Sequence, residues 1–207
     1  MILGLSGGPG TGKSLAAEYL RKQGAVIISG DEAGRRAVEE YPGVLKKLVK
    51  TFGNGILSYD GSLNRKQVGR IVFSNNGALE ALNATVHPQL LKILKSDIRK
   101  FNGHKKRLIV LDAALIYEWG IANWCDYILV VTAGRELRIK RLTQRGLTRS
   151  EAKNRIASQI PDREKRKLAD FVIENNGTKK LLEKRIMKFM TDLETLTKHN
   201  NTISPIG

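Results

Sequence analysis

Cysteine is almost missing from this chain: Cys125 stands alone, so no internal disulfide can form and nothing suggests export. Its place beside Trp124 reads as ordinary packing, not as a reactive thiol. Aromatic residues are scarce at 6%, which leaves few platforms on which nucleic-acid bases could stack. No apolar run approaches the roughly 20 residues needed to cross a bilayer. The opening Met1-Ile2-Leu3-Gly4-Leu5 lacks the basic flank and longer apolar core of a signal peptide. A cytoplasmic protein without a membrane partner is expected, and a monomer is favoured. Acidic residues are few as well, 20 against 36 Lys and Arg, giving a formal charge of +16. That excess favours polyanions, whether nucleic acid, membrane surface or phosphate-rich small molecules, and alone it does not choose among them. The basic residues are spread through the chain, at Lys46-Lys47, Lys105-Lys106-Arg107, Arg135 to Arg155 and Arg163 to Lys167, and most read as a solvated face.

What is present is the makings of one globular domain with insertions. The 207 residues are 41% hydrophobic and 27% charged, with no internal repeat and no low-complexity segment. Apolar patterns alternate strand and helix, as in an α/β protein. Met1 to Ser6, Ala25 to Ile28, Arg107 to Leu111, Tyr127 to Thr132 and Phe171 to Ile173 read as strands. They are β-branched with little alternation, as parallel strands covered on both faces should be. A helix is expected from about Lys13 to Gln23, ended by Gly24. Residues 31–104 are mostly helical in pattern and exceed an ordinary crossover, so they read as a helical substrate-binding insertion. It holds the turn Tyr59-Asp60-Gly61-Ser62 and a long helix from about Ala78 to Phe101, with Pro88 expected to bend it. Thr148-Arg149-Ser150-Glu151 has the capping-box form and should start a helix. Near the end, Leu182, Ile186, Phe189, Leu193 and Leu196 lay one apolar stripe, and Thr197 to Gly207 reads as a loose tail.

The strongest local signal is Gly7-Gly8-Pro9-Gly10-Thr11-Gly12-Lys13-Ser14, which matches G-x-x-x-x-G-K-[ST]. Glycines let the backbone fold tightly enough for successive N–H groups to point at phosphate oxygens. The following helix presents its N-terminus to the same anion. Lys13 should reach the β- and γ-phosphates of ATP, and the Ser14 hydroxyl should ligate Mg²⁺. Because the motif follows the first strand and opens the first helix, a chance glycine turn is a poor alternative. Gly8, Gly10, Thr11, Gly12, Lys13, Ser14 and Leu15 are therefore the candidate nucleotide ligands.

Several further stretches, in order, resemble the dephospho-CoA kinase family. The opening Gly4 to Ser14 is similar to its G-L-T-G-G-x-G-S-G-K-S, and Ile28-Ser29-Gly30-Asp31-Glu32-Ala33-Gly34-Arg35 to its I-D-A-D-x-x-A-R. Phe52-Gly53, Asp60 to Arg65, Ile71-Val72-Phe73, His87-Pro88, Asp112 to Glu118, Gln159, Lys165, Ala169-Asp170 and Val172 to Gly177 follow at familiar intervals. The resemblance runs to about Leu182 and implies a P-loop NTPase fold, a three-layer α/β/α sandwich on a central parallel sheet. It implies a nucleotide-binding core (1–30, 105–140, 168–200), a helical CoA-binding insertion (31–104), a small helical lid (141–167) and a loose tail (201–207). The implied reaction is ATP-dependent phosphorylation of the ribose 3′-hydroxyl of dephospho-CoA, the last step of coenzyme A synthesis. Three positions depart from the family pattern: Ser29 for the first Asp of its D-x-D, Leu15 for Thr, and Ala114 for Pro. The first removes a carboxylate from the metal side; the others look like packing changes.

Individual roles follow. Asp31 leaves the second strand at the sheet's C-terminal edge, where a carboxylate could accept or orient the acceptor hydroxyl, or cap the next helix. The match to the retained Asp of the family motif favours catalysis. Asp112 ends an apolar strand in the Walker-B manner and is a candidate for Mg²⁺ support, with loop structuring as the alternative. Arg138, Arg141 and Arg145 fall on one helical face beside the nucleotide, and Arg145, with Arg149, Arg155 and Lys165, is a candidate to close over the transferring phosphoryl group. Arg141, Asn175 and Gly177 are candidate adenosine-side contacts, although Asn-Gly also suits a turn. Arg65 and His87, in the insertion, are candidates for contacting dephospho-CoA, with a structural role the alternative for His87. The rivals are another small-molecule kinase, which Asp60 to Arg65 and His87-Pro88 argue against, and an ATP-switched nucleic-acid binder, for which no recognised module is present.

Overall fold

Apolar β-branched runs that carry no polar face must be covered on both sides, and a parallel sheet between helical layers does this. The computed structural model of the chain describes residues 1–101 and 108–202. Among these residues, β1 (Ile2–Ser6), β2 (Val26–Ser29), β3 (Ile109–Asp112), β4 (Tyr127–Thr132) and β5 (Phe171–Glu174) build one all-parallel sheet in the order β2-β3-β1-β4-β5. Each strand lies within about two residues of its expected place; Arg107, where the third was expected to begin, lies outside the described residues. Leu5 and Ser29 both pair with Asp112, so β1, β2 and β3 end level with one another. Everything that leaves their C-terminal ends converges on one edge.

Alternate residues of each strand face opposite layers. Leu3, Leu5, Val110, Leu129 and Val131 pack under α1 (Lys13–Lys22) and α9 (Lys179–Thr202). Ile28, Ile109, Leu111, Ile128 and Val130 pack under α2 (Gly30–Glu39) and α5 (Asn76–Phe101). Pro88 sits inside α5, which remains one helix. α3 (Pro42–Phe52) and α4 (Arg65–Ser74) complete the insertion around a separate small core of Val38, Leu48, Ile56, Val68 and Val72. α6 (Arg135–Thr143), α7 (Arg149–Ala157) and α8 (Asp162–Leu168) follow β4. α7 begins at the expected capping box: Thr148 Oγ1 accepts from Glu151 N (3.1 Å), and the Glu151 carboxylate accepts from Thr148 N (2.7 Å).

The C-terminus departs from expectation. Leu182, Ile186, Phe189 and Leu193 are buried as the stripe requires, but Leu196 is 39% exposed, because the helix has by then run past the sheet it covers. The helix also continues to Thr202, so the first part of the expected loose tail is helical; residues 203–207 lie outside the described residues.

Candidate active site

The glycine loop between β1 and α1 takes the form the motif calls for. Gly12 is left-handed (φ 96°) and opens α1, a conformation costly for any residue with a Cβ. A Cβ at Gly8 would lie 2.3 Å from Arg138 Nη2, so only glycine lets that guanidinium approach.

Side chains hold the loop from behind, through its carbonyls. Arg138 Nε donates to Pro9 O (2.8 Å), Arg141 Nη1 to Gly10 O (3.2 Å) and Thr11 O (3.3 Å), and Asn175 Nδ2 to Thr11 O (2.8 Å). Arg141 Nη2 also reaches Asn175 O (3.0 Å). With its carbonyls engaged on this side, the loop is set to turn N–H groups toward an anion. Of the three arginines expected on one face, Arg138 and Arg141 share this task. α6 ends at Thr143, so Arg145 lies beyond it, exposed. Burial pulls the Arg138 and Arg141 pKa values down; Asp162 opposes this at Arg138, whereas Arg145 adds to it at Arg141. A cleft of about 230 Å³ opens here, lined by Gly12, Leu15, Arg141, Arg145, Asn175 and Gly177. Arg141, Asn175 and Gly177, expected on the adenosine side, are joined here in one depression, and Arg145, expected over the transferring phosphoryl group, lines it too. Asn175 is 5% exposed and its amide already bonds Thr11, so it serves the loop's shape as well as the cleft wall.

On the other side of the loop, Lys13 pairs with Asp112 at the end of β3. Burial raises the Asp112 pKa, the Lys13 charge opposes that rise, and the nearby negative charge of Asp31 adds to it. Two carboxylates and the phosphate-loop lysine thus share one corner. Asp31 occupies the first turn of α2 and is exposed. The capping role open to it belongs to Ser29, whose Oγ accepts from Glu32 N (3.2 Å). The family-unusual Ser29 therefore has a local job, and Asp31 is released from it. Ser14, in the first turn of α1, is also exposed.

The insertion residues Arg65 and His87 have separate partners. Arg65 Nη2 pairs with Glu39 (3.0 Å) and touches Arg35 O (3.4 Å), beside a groove of about 520 Å³ formed by Val38, Glu39, Leu45, Asp60 and Arg65. His87 stacks obliquely on Trp119 at 5.7 Å, its Nε2 is buried without a hydrogen bond, and burial lowers its pKa. Trp119 also lies against Gly30, next to Asp31, so His87 stands one ring away from that turn.

The lid-side cations divide. Lys165, expected to reach the phosphoryl group, is fully buried instead: its Nζ donates to Ala114 O (2.6 Å) and pairs with Glu118 (3.1 Å), with Gln159 Oε1 at 3.4 Å. Arg149 pairs with Glu136 (2.7 Å), and Arg155 lies over the Phe73 ring (5.1 Å), joining α7 to α4. Sequence reasoning assigned no role to Asp162, Glu118 or Trp119. Glu118 and Gln159 did stand among the motif residues, and their shared partner Lys165 is what unites them.

Among the described residues, no group of three or more His, Cys, Asp or Glu side chains gathers as a metal cage, and no helix is long and apolar enough to cross a membrane. The Ser14 hydroxyl and the Asp112 and Asp31 carboxylates are hard oxygen donors, the set that suits Mg²⁺ bound with substrate phosphates.

Comparison with known proteins bears on the same residues. The family profile described as dephospho-CoA kinase matches residues 1–180. A dephospho-CoA kinase of Shouchella clausii is 39% identical over 180 residues, covering 86% of this chain and 91% of that one. A crystal structure of a Thermus thermophilus protein superposes with TM-score 0.75 at 33% identity, covering 93% of this chain and 97% of that one. The dephospho-CoA kinase of Campylobacter jejuni superposes with TM-score 0.61 at 26% identity, covering 92% and 96%.

Proposed function

The chain belongs to the dephospho-CoA kinase family, and on that footing we propose how its residues divide the labour of an ATP-dependent phosphotransferase whose acceptor is the ribose 3′-hydroxyl of dephospho-CoA. The observation that carries the assignment of roles is the corner formed by Lys13, Asp112 and Asp31 at the mouth of the glycine loop. Phosphoryl transfer needs little covalent help from the protein; it needs the donor phosphates, the acceptor oxygen and the developing charge held in line. The loop's N–H groups, the α1 N-terminus and Lys13 hold the triphosphate, Lys13 turning from Asp112 toward the β- and γ-phosphates as they arrive. The Asp31 carboxylate, which caps nothing, accepts the proton of the ribose hydroxyl or orients it as the oxygen attacks. Arg145, exposed at the rim of the adenosine-side cleft, meets the charge that builds on the transferring group.

Ser14 and Asp112 are the residues that would hold Mg²⁺, which when bound would offset the negative charge of the phosphates. Gly8, Gly10, Thr11 and Gly12 cradle the phosphates, while Leu15, Arg141, Asn175 and Gly177 wall the adenosine side. Arg65 and His87 belong to the acceptor side, within the insertion spanning 31–104, and 141–167 serves as the lid. A monomer contains all of these groups.

The test is ADP release from ATP and Mg²⁺, with and without dephospho-CoA, using AMP and adenosine as comparison acceptors. Release that requires dephospho-CoA and yields CoA is expected. Release with AMP or adenosine instead would retain the kinase and discard the acceptor.

A further inference from the structure

Arg138 is, with Lys165, a charged side chain in the described core, and is 5% exposed. Its three nitrogens divide between two elements. Nε donates to Pro9 O (2.8 Å), Nη1 pairs with Asp162 Oδ1 at the start of α8 (2.9 Å), and Nη2 lies where a Gly8 Cβ would stand. The guanidinium is thus a rigid plate between the phosphate loop and α8. Lys165, one turn further along α8, bonds Ala114 O and Glu118, in the loop that follows Asp112. Ala114 O in turn accepts from Ser6 Oγ (3.1 Å), at the end of the strand that feeds the phosphate loop. One short helix therefore grips both loops that flank the reacting corner.

We infer that Arg138 is a positioning residue for nucleotide binding: through Pro9 and Gly8 it fixes the curvature of the phosphate loop, and through Asp162 it makes that curvature depend on the seating of α8. The inference rests on the reading of the glycine loop as the ATP phosphate site. It follows from rigidity. A loop whose N–H groups must converge on an anion loses affinity when its backbone can relax, because the ordering is then left to the binding step. Lysine cannot replace arginine here, since one ammonium cannot serve Pro9 O and Asp162 with the geometry of a planar fork.

The test uses the full chain with Arg138→Gln, Arg138→Lys and Asp162→Asn. ATP affinity is read by calorimetry, and KM for ATP, KM for dephospho-CoA and kcat by ADP release. Arg138→Gln and Arg138→Lys should each raise the ATP dissociation constant and KM for ATP about tenfold, as loss of a buried charged hydrogen bond does, with KM for dephospho-CoA and kcat within about twofold. Asp162→Asn should move the same constant in the same direction by less, and the Arg138→Gln/Asp162→Asn double variant should be no worse than Arg138→Gln alone. A folded Arg138→Gln or Arg138→Lys protein with unchanged ATP affinity would overturn the inference, as would an equal rise in both KM values. Should Arg138→Gln fail to fold, unchanged ATP affinity in Asp162→Asn would overturn it equally. Absence of ATP binding by the unaltered chain would instead overturn the reading of the loop on which the inference stands.

Discussion

The back of the phosphate loop and the insertion residues proposed for the acceptor differ in how far their charged groups are already engaged. Behind the loop, Arg138, Arg141 and Asn175 bond its carbonyls, and Lys13 pairs with Asp112. In the insertion, Asp31 is exposed, Arg65 pairs with Glu39 and touches Arg35 O, and His87 Nε2 is buried without a hydrogen bond. The phosphate-loop side is built in advance; the side proposed for the acceptor is left for a ligand to complete. Such an arrangement suits an enzyme whose donor is always a triphosphate while its acceptor must be distinguished from similar adenine nucleotides.

Four substitutions sharpen that contrast. Asp31→Asn should cut turnover by about 10²–10⁴-fold with unchanged thermal stability, because the carboxylate holds no element of the fold; turnover and Tm on the same preparation decide it, and near-normal turnover would remove Asp31 from the mechanism. Lys165→Met should do the reverse. Removing a fully buried ammonium that bonds Ala114 O and Glu118 should cost about 1–3 kcal/mol of stability, read as a lower denaturant midpoint. Arg65→Ala should raise KM for dephospho-CoA about tenfold, as loss of a charged contact does, while leaving KM for ATP alone; equal shifts in both would dissolve the division between the two sides.

The smallest effect concerns pH. Burial holds the folded His87 pKa below its ordinary 6.5, so the unfolded chain binds the extra proton first as pH falls. The His87 contribution is present above 6.5 and is lost as pH falls from there through the folded value. His87→Phe, which keeps the ring against Trp119, should therefore flatten the acid side of the stability profile by at most about one proton. An unchanged profile in urea titrations at pH 5 and 7 would show that this imidazole does not titrate as described.

The parts of the molecule that are local in sequence could be read from it. The glycine loop, the strands and the Thr148 capping box each depend on neighbours a few residues away. The same rule held an unused signal: Ser29-Gly30-Asp31-Glu32 also has the form of a helix start, and it would have assigned the cap to Ser29 and freed Asp31. Contacts between distant residues were another matter. Nothing in the run Arg163 to Lys167 marks Lys165 as the buried one, because its partners Ala114 and Glu118 are some 50 residues away and only the fold brings them near. Leu196 failed for a related reason. Helical periodicity tells which face is apolar but not how far the opposing layer extends.

The small core of Val38, Leu48, Ile56, Val68 and Val72 stands apart from the two clusters that clothe the sheet. A segment with its own apolar nucleus can open as a cooperative unit below the free energy of global unfolding. β1, by contrast, has a hydrogen-bonded strand on either side. Amide exchange should accordingly run in two tiers, with α3 and α4 trading their protons while β1 keeps its own. The part of the chain proposed to receive the acceptor is then free to breathe, while the strand that feeds the glycine loop holds still.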